Sequence, residues 1–140
     1  MADGLLSKGT KLSIKVPPAS TFTELEGLQG VPELGGTPDK LETTTLDKSS
    51  KTYINGLLDN GDLEFTFLYD NSTTTSNYRV LKAAQDAELT CDFKIEYPDL
   101  TAHEFSGQPS VRMAAAEVNA VLTFTTAIAL TSDIDVTNPA

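Results

Sequence analysis

His103 and Cys91 are the only histidine and the only cysteine among the 140 residues. Any nucleophilic or metal chemistry would have to be built around one of each. A Ser-His-Asp or Cys-His relay needs its nucleophile on a sharp turn, and no nucleophile-elbow motif is present. Zinc takes several Cys or His ligands, and one of each is too few. There is no glycine-rich phosphate loop. Asp59, Asn60, Asp62 and Glu64 are oxygen-rich, but they lack the spacing of a calcium loop. They read as a turn followed by an outward strand residue. Glu24, Glu26, Glu42 and Glu64 look like paired carboxylates. In a chain with 20 acidic against 10 basic residues, they read as a solvated face rather than a general acid and base. Asn71-Ser72-Thr73 fits the glycosylation pattern without an accompanying secretory signal, so chance accounts for it. The expectation is no catalytic residue, no cofactor, no metal and no enzyme activity.

Composition narrows the class further. The net charge is −10, and Arg79 and Arg112 are the only arginines. Nucleic-acid binders need cations to neutralise phosphates, so specific DNA or RNA binding is not expected. Hydrophobic residues make up 39%, and tryptophan is absent. A lean core with much Thr and Ser suits a thin β-structure. The length predicts one domain over 1–140. One cysteine rules out an internal disulfide framework. The opening MADGLLSKGTK has no apolar h-region. No apolar run reaches the roughly 18–20 residues of a membrane span. The chain reads as a soluble product of a reducing cytoplasm, with no membrane insertion.

Period-two alternation positions these residues. Leu12, Ile14 and Val16 alternate with Lys11, Ser13 and Lys15 as a first half-buried strand, which Pro17-Pro18 ends. A second strand runs over 21–26, with a bulge suggested where Phe22 and Leu25 break step. Glycines and prolines punctuate a connection from Gly27 to Pro38. Leu41 to Leu46 follows as a strand, with Thr43, Thr44 and Thr45 supplying β-propensity. Asp47 to Asn60 is a long loop with the turn dipeptides Asn55-Gly56 and Asn60-Gly61. It also carries Lys51, Tyr53, Ile54, Leu57 and Leu58. Its apolar residues either fold back on their own core or dock on a neighbour. Leu63, Phe65, Phe67 and Tyr69 form one face of the next strand. Ser76 to Ala87 is the one predicted helix. Leu89 to Tyr97 is a strand, and Cys91 alternates there with Phe93, Ile95 and Tyr97 as a buried residue. His103 to Ala115 is another, with Gly107 and Pro109 marking a break or bulge; His103 beside Glu104 reads as exposed. Glu117 to Leu130 is the longest predicted strand, with apolar residues on both faces. Segments 1–10 and 131–140 read as arms. The predicted fold class is mainly β: an antiparallel β-sandwich or barrel of six to eight strands, with one packed α-helix and a long inter-strand loop.

The ordered set KGTKLSIKV, VPELGGTPDKLETTTL, KTYINGLLDNGDLEFTFLYD, SNYRVLKAAQD and AAAEVNAVLTFTTAIALTSDI resembles the tail tube (major tail) proteins of long-tailed bacteriophages. The resemblance spans nearly the full length. It implies a structural virion protein whose homo-hexameric rings stack into a hollow tube, the conduit for genome delivery. One sheet of each subunit would line the channel. Tape-measure, tail terminator and baseplate proteins are the implied partners, and DNA would pass without specific binding. The implied location is the virion tail, after assembly in the host cytoplasm. On that basis Glu24, Glu26, Glu42 and Glu64 are candidate lumen carboxylates. The loop with Lys51, Tyr53, Ile54, Leu57 and Leu58 is a candidate bridge between subunits. The competing reading is a non-polymerising β-sandwich binding module, such as a virion decoration or carbohydrate-binding domain. That reading requires an exposed aromatic platform.

Overall fold

The computed structural model describes residues 4–35, 37–58 and 62–139. Within them lie ten strands and one helix. In chain order these are β1 Lys11–Lys15, β2 Thr23–Leu25, β3 Leu28–Gly30, β4 Lys40–Glu42, β5 Tyr53–Asn55 and β6 Asp62–Leu68, then α1 Asn77–Asp86, β7 Cys91–Glu96, β8 Ala102–Met113, β9 Thr123–Leu130 and β10 Asp135–Thr137. Eight strands share one hydrogen-bonded antiparallel network, ordered β2-β1-β7-β8-β9-β6-β3, with β10 also on β8; β4 and β5 pair apart as a hairpin.

The network folds over at β8. The first half of that strand pairs with β7 from Ala102 to Gly107, and the second half pairs with β9 from Gly107 to Met113. A strand that changes partners in this way makes the corner of a sandwich. The first sheet is thus β2-β1-β7-β8-β10, and the second is β8-β9-β6-β3. Gly107 is required at the corner. A Cβ there would stand 2.5 Å from Ile128 Cγ2 and 2.6 Å from the Ala129 carbonyl oxygen. The chain crosses between sheets a second time at Gly27, which joins β2 to β3 with φ at +85°. The Asn77 amide nitrogen donates there to the carbonyls of Glu26 (2.7 Å) and Leu68 (2.8 Å).

The inward residues of both sheets form one core. Leu12, Ile14, Cys91, Phe93, Ile95 and Phe105 meet Leu63, Phe65, Phe67, Phe124 and Ile128. Phe105 stacks on Phe93 at 5.7 Å and on Phe65 at 6.4 Å between ring centroids, so aromatic contact bridges the sheets. Helix α1 buries Leu81 and Ala84. Tyr78 meets Phe124 edge-on at 5.5 Å. The Ser76 hydroxyl at its start donates to Asp70 rather than capping the helix.

Several expectations change. Thr43–Thr45 do not extend β4, which ends at Glu42; instead, the Thr43 amide donates to the Thr52 carbonyl at 2.8 Å, and Thr44 accepts from the Thr52 amide at 2.9 Å. The 47–60 segment is not one loop, since Tyr53–Asn55 is the return strand of a hairpin. Asn60-Gly61, and Asp59 with it, lie outside the described residues. The register irregularity falls in β3, between Leu28 and Gly30, rather than at Phe22. The longest strand is β8, with 12 residues. β9 begins only at Thr123, leaving Val118, Val121 and Leu122 exposed in the preceding turn. Its outer face is not covered by a second layer, because Ala129 is exposed. His103 is half-buried rather than exposed, because its register partner is the core residue Ile95. In the tail, Asp135–Thr137 pairs with β8.

Candidate assembly surfaces

The outer face of the first sheet is a cross-strand charge array. Lys11 pairs across to Glu96, Lys15 to Asp92 and Lys94 to Glu104. The Lys15 ammonium lies 3.5 Å from the Asp92 carboxylate. Lys15 and Lys94 both stand over the Phe22 ring, 4.9 and 5.1 Å from its centroid, a favourable placement for cations on a π face. Glu24 joins this face opposite Ser13, and Asp135 joins it opposite Glu104.

The second sheet's outer face is different in kind. Pairing aligns Ser110, Ala127 and Glu64 in one row and Arg112, Thr125 and Thr66 in the next. Gln108, Ala129 and Thr123 flank them. Most side chains are short, Leu68 opposite Thr123 is exposed, and among the described ones the only charges are Glu64 and Arg112. The structure therefore separates the four carboxylates singled out in the sequence. Glu24 and Glu64 stand on opposite outer faces, Glu26 sits at the β2–β3 crossing, and Glu42 is on the hairpin.

The two free edges of the second sheet are β3 and the second half of β8. The β8 edge is blunted in its middle. Pro109 has no N–H to offer, and the Val111 N–H donates to the side-chain oxygen of Gln85 on α1 at 2.9 Å. A neighbouring strand finds a free donor only from Met113 onward, since outward N–H groups recur every second residue.

The β4–β5 hairpin pairs only with itself and projects apolar groups into solvent. Leu41, Tyr53, Ile54, Leu57 and Leu58 are all exposed, and Leu46 near the apex is fully so. The candidate residues Lys51, Tyr53, Ile54, Leu57 and Leu58 thus lie together along one projection and its base. The alternative that they fold back on the core does not hold for these side chains.

No reactive constellation accompanies these surfaces among the described residues. Among the described residues no group of three or more His, Cys, Asp and Glu side chains converges on a metal-sized site. No described helix is long and apolar enough to cross a membrane. An open groove of about 550 Å³ between the N-terminal segment and β3 carries Lys8 and Tyr97 as its titratable lining. Another of about 570 Å³, beside α1 and the β8 edge, carries only Glu88. Burial, reinforced by the Asp92 charge, pushes the Cys91 thiol up, away from the thiolate that chemistry would need. Burial likewise raises the Tyr97 phenol. Asp70 is held below the usual carboxylate range, first by the Ser72 hydroxyl and then by the Ser72 amide and Ser76; this is a turn ahead of the helix, not a catalytic acid.

The sandwich leaves β3 and the last residues of β8 as open sheet edges. A family profile described as "Phage tail tube, TTP, lambda-like" matches residues 3–103, and the chain belongs to that family. A search among curated protein sequences finds no match. The fold is similar to a subunit in the tail of an empty gene transfer agent particle refined with C6 symmetry, with TM-score 0.73, 14% identity, and 96% of this chain and 99% of that one covered. It is also similar to a subunit of the anti-feeding prophage baseplate, 6-fold symmetrised, with TM-score 0.70, 10% identity, and 99% and 98% covered. A third likeness is to a chain in the sheath-tube complex of an extracellular contractile injection system, with TM-score 0.62, 8% identity, and 92% and 89% covered. The protein is a structural tail tube component of a phage-like particle.

Proposed function

We propose that the chain closes into homo-hexameric rings, that the rings stack into a hollow tube, and that the second sheet's outer face lines the channel through which DNA is delivered. One observation carries the choice of face. The first sheet's outward Lys11, Lys15 and Lys94, set among Glu24, Asp92, Glu96, Glu104 and Asp135, make a dense charge array, and lysines along a channel would hold phosphates by counterion release. The second face is mainly Thr, Ser, Ala and Gln, with Glu64 and Arg112 its only charges and no lysine among its described side chains. Six-fold symmetry in the gene transfer agent tail and the anti-feeding prophage baseplate supports the ring order. Head-to-tail contacts close into rings when the rotation permits, and a second set of contacts extends them into a filament.

Of the acidic candidates, Glu64 then faces passing DNA, and Glu24 points the other way. The β4–β5 hairpin with Lys51, Tyr53, Ile54, Leu57 and Leu58 bridges subunits. Tape-measure, tail terminator and baseplate proteins are the further partners, in a tail assembled in the host cytoplasm. The competing binding-module reading lacks its aromatic platform: Tyr53 is exposed, but Tyr69, Tyr78 and Tyr97 are half-buried.

Charge reversal tests the face. Glu64→Lys in the parent phage should leave tubes of normal diameter and slow genome ejection about tenfold, with relief at higher salt. Glu24→Lys should leave ejection unchanged. The opposite pattern would move the channel to the first sheet.

A further inference from the structure

β8 loses a partner strand halfway along its length, and α1 stands where that strand would continue. β7 pairs with β8 only as far as Cys91 opposite Gly107. Continued backwards, the same register would set Leu89 opposite Pro109 and Ala87 opposite Val111. The chain leaves that line instead. Glu88 takes φ at +54°, and the Glu88 and Leu89 amides donate to the Gln85 and Ala84 carbonyls, each at 3.0 Å, which closes the helix end. This turn sets Gln85 beside β8, where its side-chain oxygen accepts from the Val111 N–H at 2.9 Å. A side-chain amide carries the same kind of carbonyl as a peptide bond. Gln85 therefore supplies one hydrogen bond of the missing strand, but no backbone to continue the sheet.

The seat of this helix is weak. α1 has 10 residues, no side-chain cap at Ser76, no acidic residue in its first turn and no basic residue in its last. A helix that short holds through packing alone. The packing rests on Leu81 and Ala84, with Tyr78 against Phe124. Two residues beyond Phe124, on the same inward face, the core contains a flaw. Thr126, opposite Val111, is fully buried, and its hydroxyl has no hydrogen-bond partner among the described residues. An orphaned buried hydroxyl penalises the closed arrangement. One station of the sheet thus carries a borrowed hydrogen bond at its edge and an unpaired group on its inner face.

We propose that α1 is a latch on β8: Gln85 occupies the Val111 N–H in a single copy and yields it to a strand of a second copy during assembly. An edge N–H is a template for pairing with another chain. Pro109 has none to offer, so Gln85 covers the one outward donor between the corner and Met113. The occupant is a second copy because β3, the other border of the same sheet, is open. Every copy carries one guarded border and one free one. The inference rests on the self-assembly reading above and is independent of which face lines the channel. It makes Gln85 a residue that holds assembly back, since an arriving strand must displace it before gaining Val111.

Polymerisation of the purified full chain over a concentration series, followed by light scattering and negative-stain microscopy, tests the latch. Gln85→Ala removes the competitor and should lower the threshold concentration about fivefold, the worth of one net hydrogen bond. Gln85→Glu keeps an acceptor, and its threshold should stand closer to that of the unmodified chain. Thr126→Val removes the orphaned hydroxyl; it should raise the urea midpoint and also raise the threshold about fivefold. A helix with a structural role alone gives the reverse order, in which the destabilised Gln85→Ala assembles worse and the stabilised Thr126→Val assembles as well or better. That order, or unchanged thresholds, would overturn the latch and leave the tube reading standing. If Gln85→Ala does not fold, the Thr126→Val threshold decides alone. An unmodified chain that polymerises at no concentration would remove the self-assembly reading, and the latch with it.

Discussion

The two outer faces of this sandwich are built on the same alternation, yet they behave as different materials. The first sheet spends its outward positions on lysine and carboxylate pairs, with Phe22 beneath two ammonium groups. The second spends most of them on Thr66, Ser110, Thr123, Thr125 and Ala127, with Glu64 and Arg112 as its only charges among the described side chains. Stability does not account for the difference, because exposed ion pairs contribute little. The proposed channel assignment would account for it: a face that meets other protein surfaces gains from charge and aromatic contact, whereas a face that lets a polyanion slide gains from short neutral groups.

Erasing the contrast gives the largest expected effect. Thr125→Lys sits mid-sheet, between Thr66 and Arg112. It should lower phage infectivity about tenfold or more through DNA held in the channel, with recovery in higher salt. Ser13→Lys, the same charge on the first face, should leave infectivity unchanged. Breaking the corner that joins the faces comes next. Gly107→Val meets Ile128 and the Ala129 backbone and should cost about 3 kcal/mol in urea unfolding. At the second crossing, Asn77→Ala leaves the carbonyls of Glu26 and Leu68 without their donor. Its expected cost is about 1–3 kcal/mol by the same measurement. The smallest effect belongs to the first face itself. Lys15→Ala removes the pair with Asp92 and should change stability by less than about 1 kcal/mol.

Much of this architecture is legible from alternation alone. The cores of β1, β6 and β7 follow directly from Leu12 and Ile14, from Leu63, Phe65 and Phe67, and from Phe93 and Ile95. The helix is legible from Tyr78, Leu81 and Ala84. What alternation misreads is any apolar residue that the fold leaves in solvent. Val118, Val121 and Leu122 look like core, and so extend β9 backwards into a turn that is open to solvent. Tyr53 and Ile54 look like loop because their strand pairs only with β4. Register is the other blind spot. His103 has a carboxylate as its sequence neighbour and a core isoleucine as its cross-strand neighbour, and only the second decides its burial. For the same reason Glu24 and Glu64 are indistinguishable in sequence but face opposite ways in the fold. The apolar content of segment 47–60 is visible in the sequence, but its hairpin pairing and exposure are not. Nothing local marks the apolar turn before β9 as surface.

The corner at Gly107 has a mechanical consequence. Because β8 belongs to both layers, a tug on one wall reaches the other through covalent backbone instead of through slipping side chains. A conduit made of such units would flex as a whole under bending or internal pressure, without its lining shearing loose from its casing.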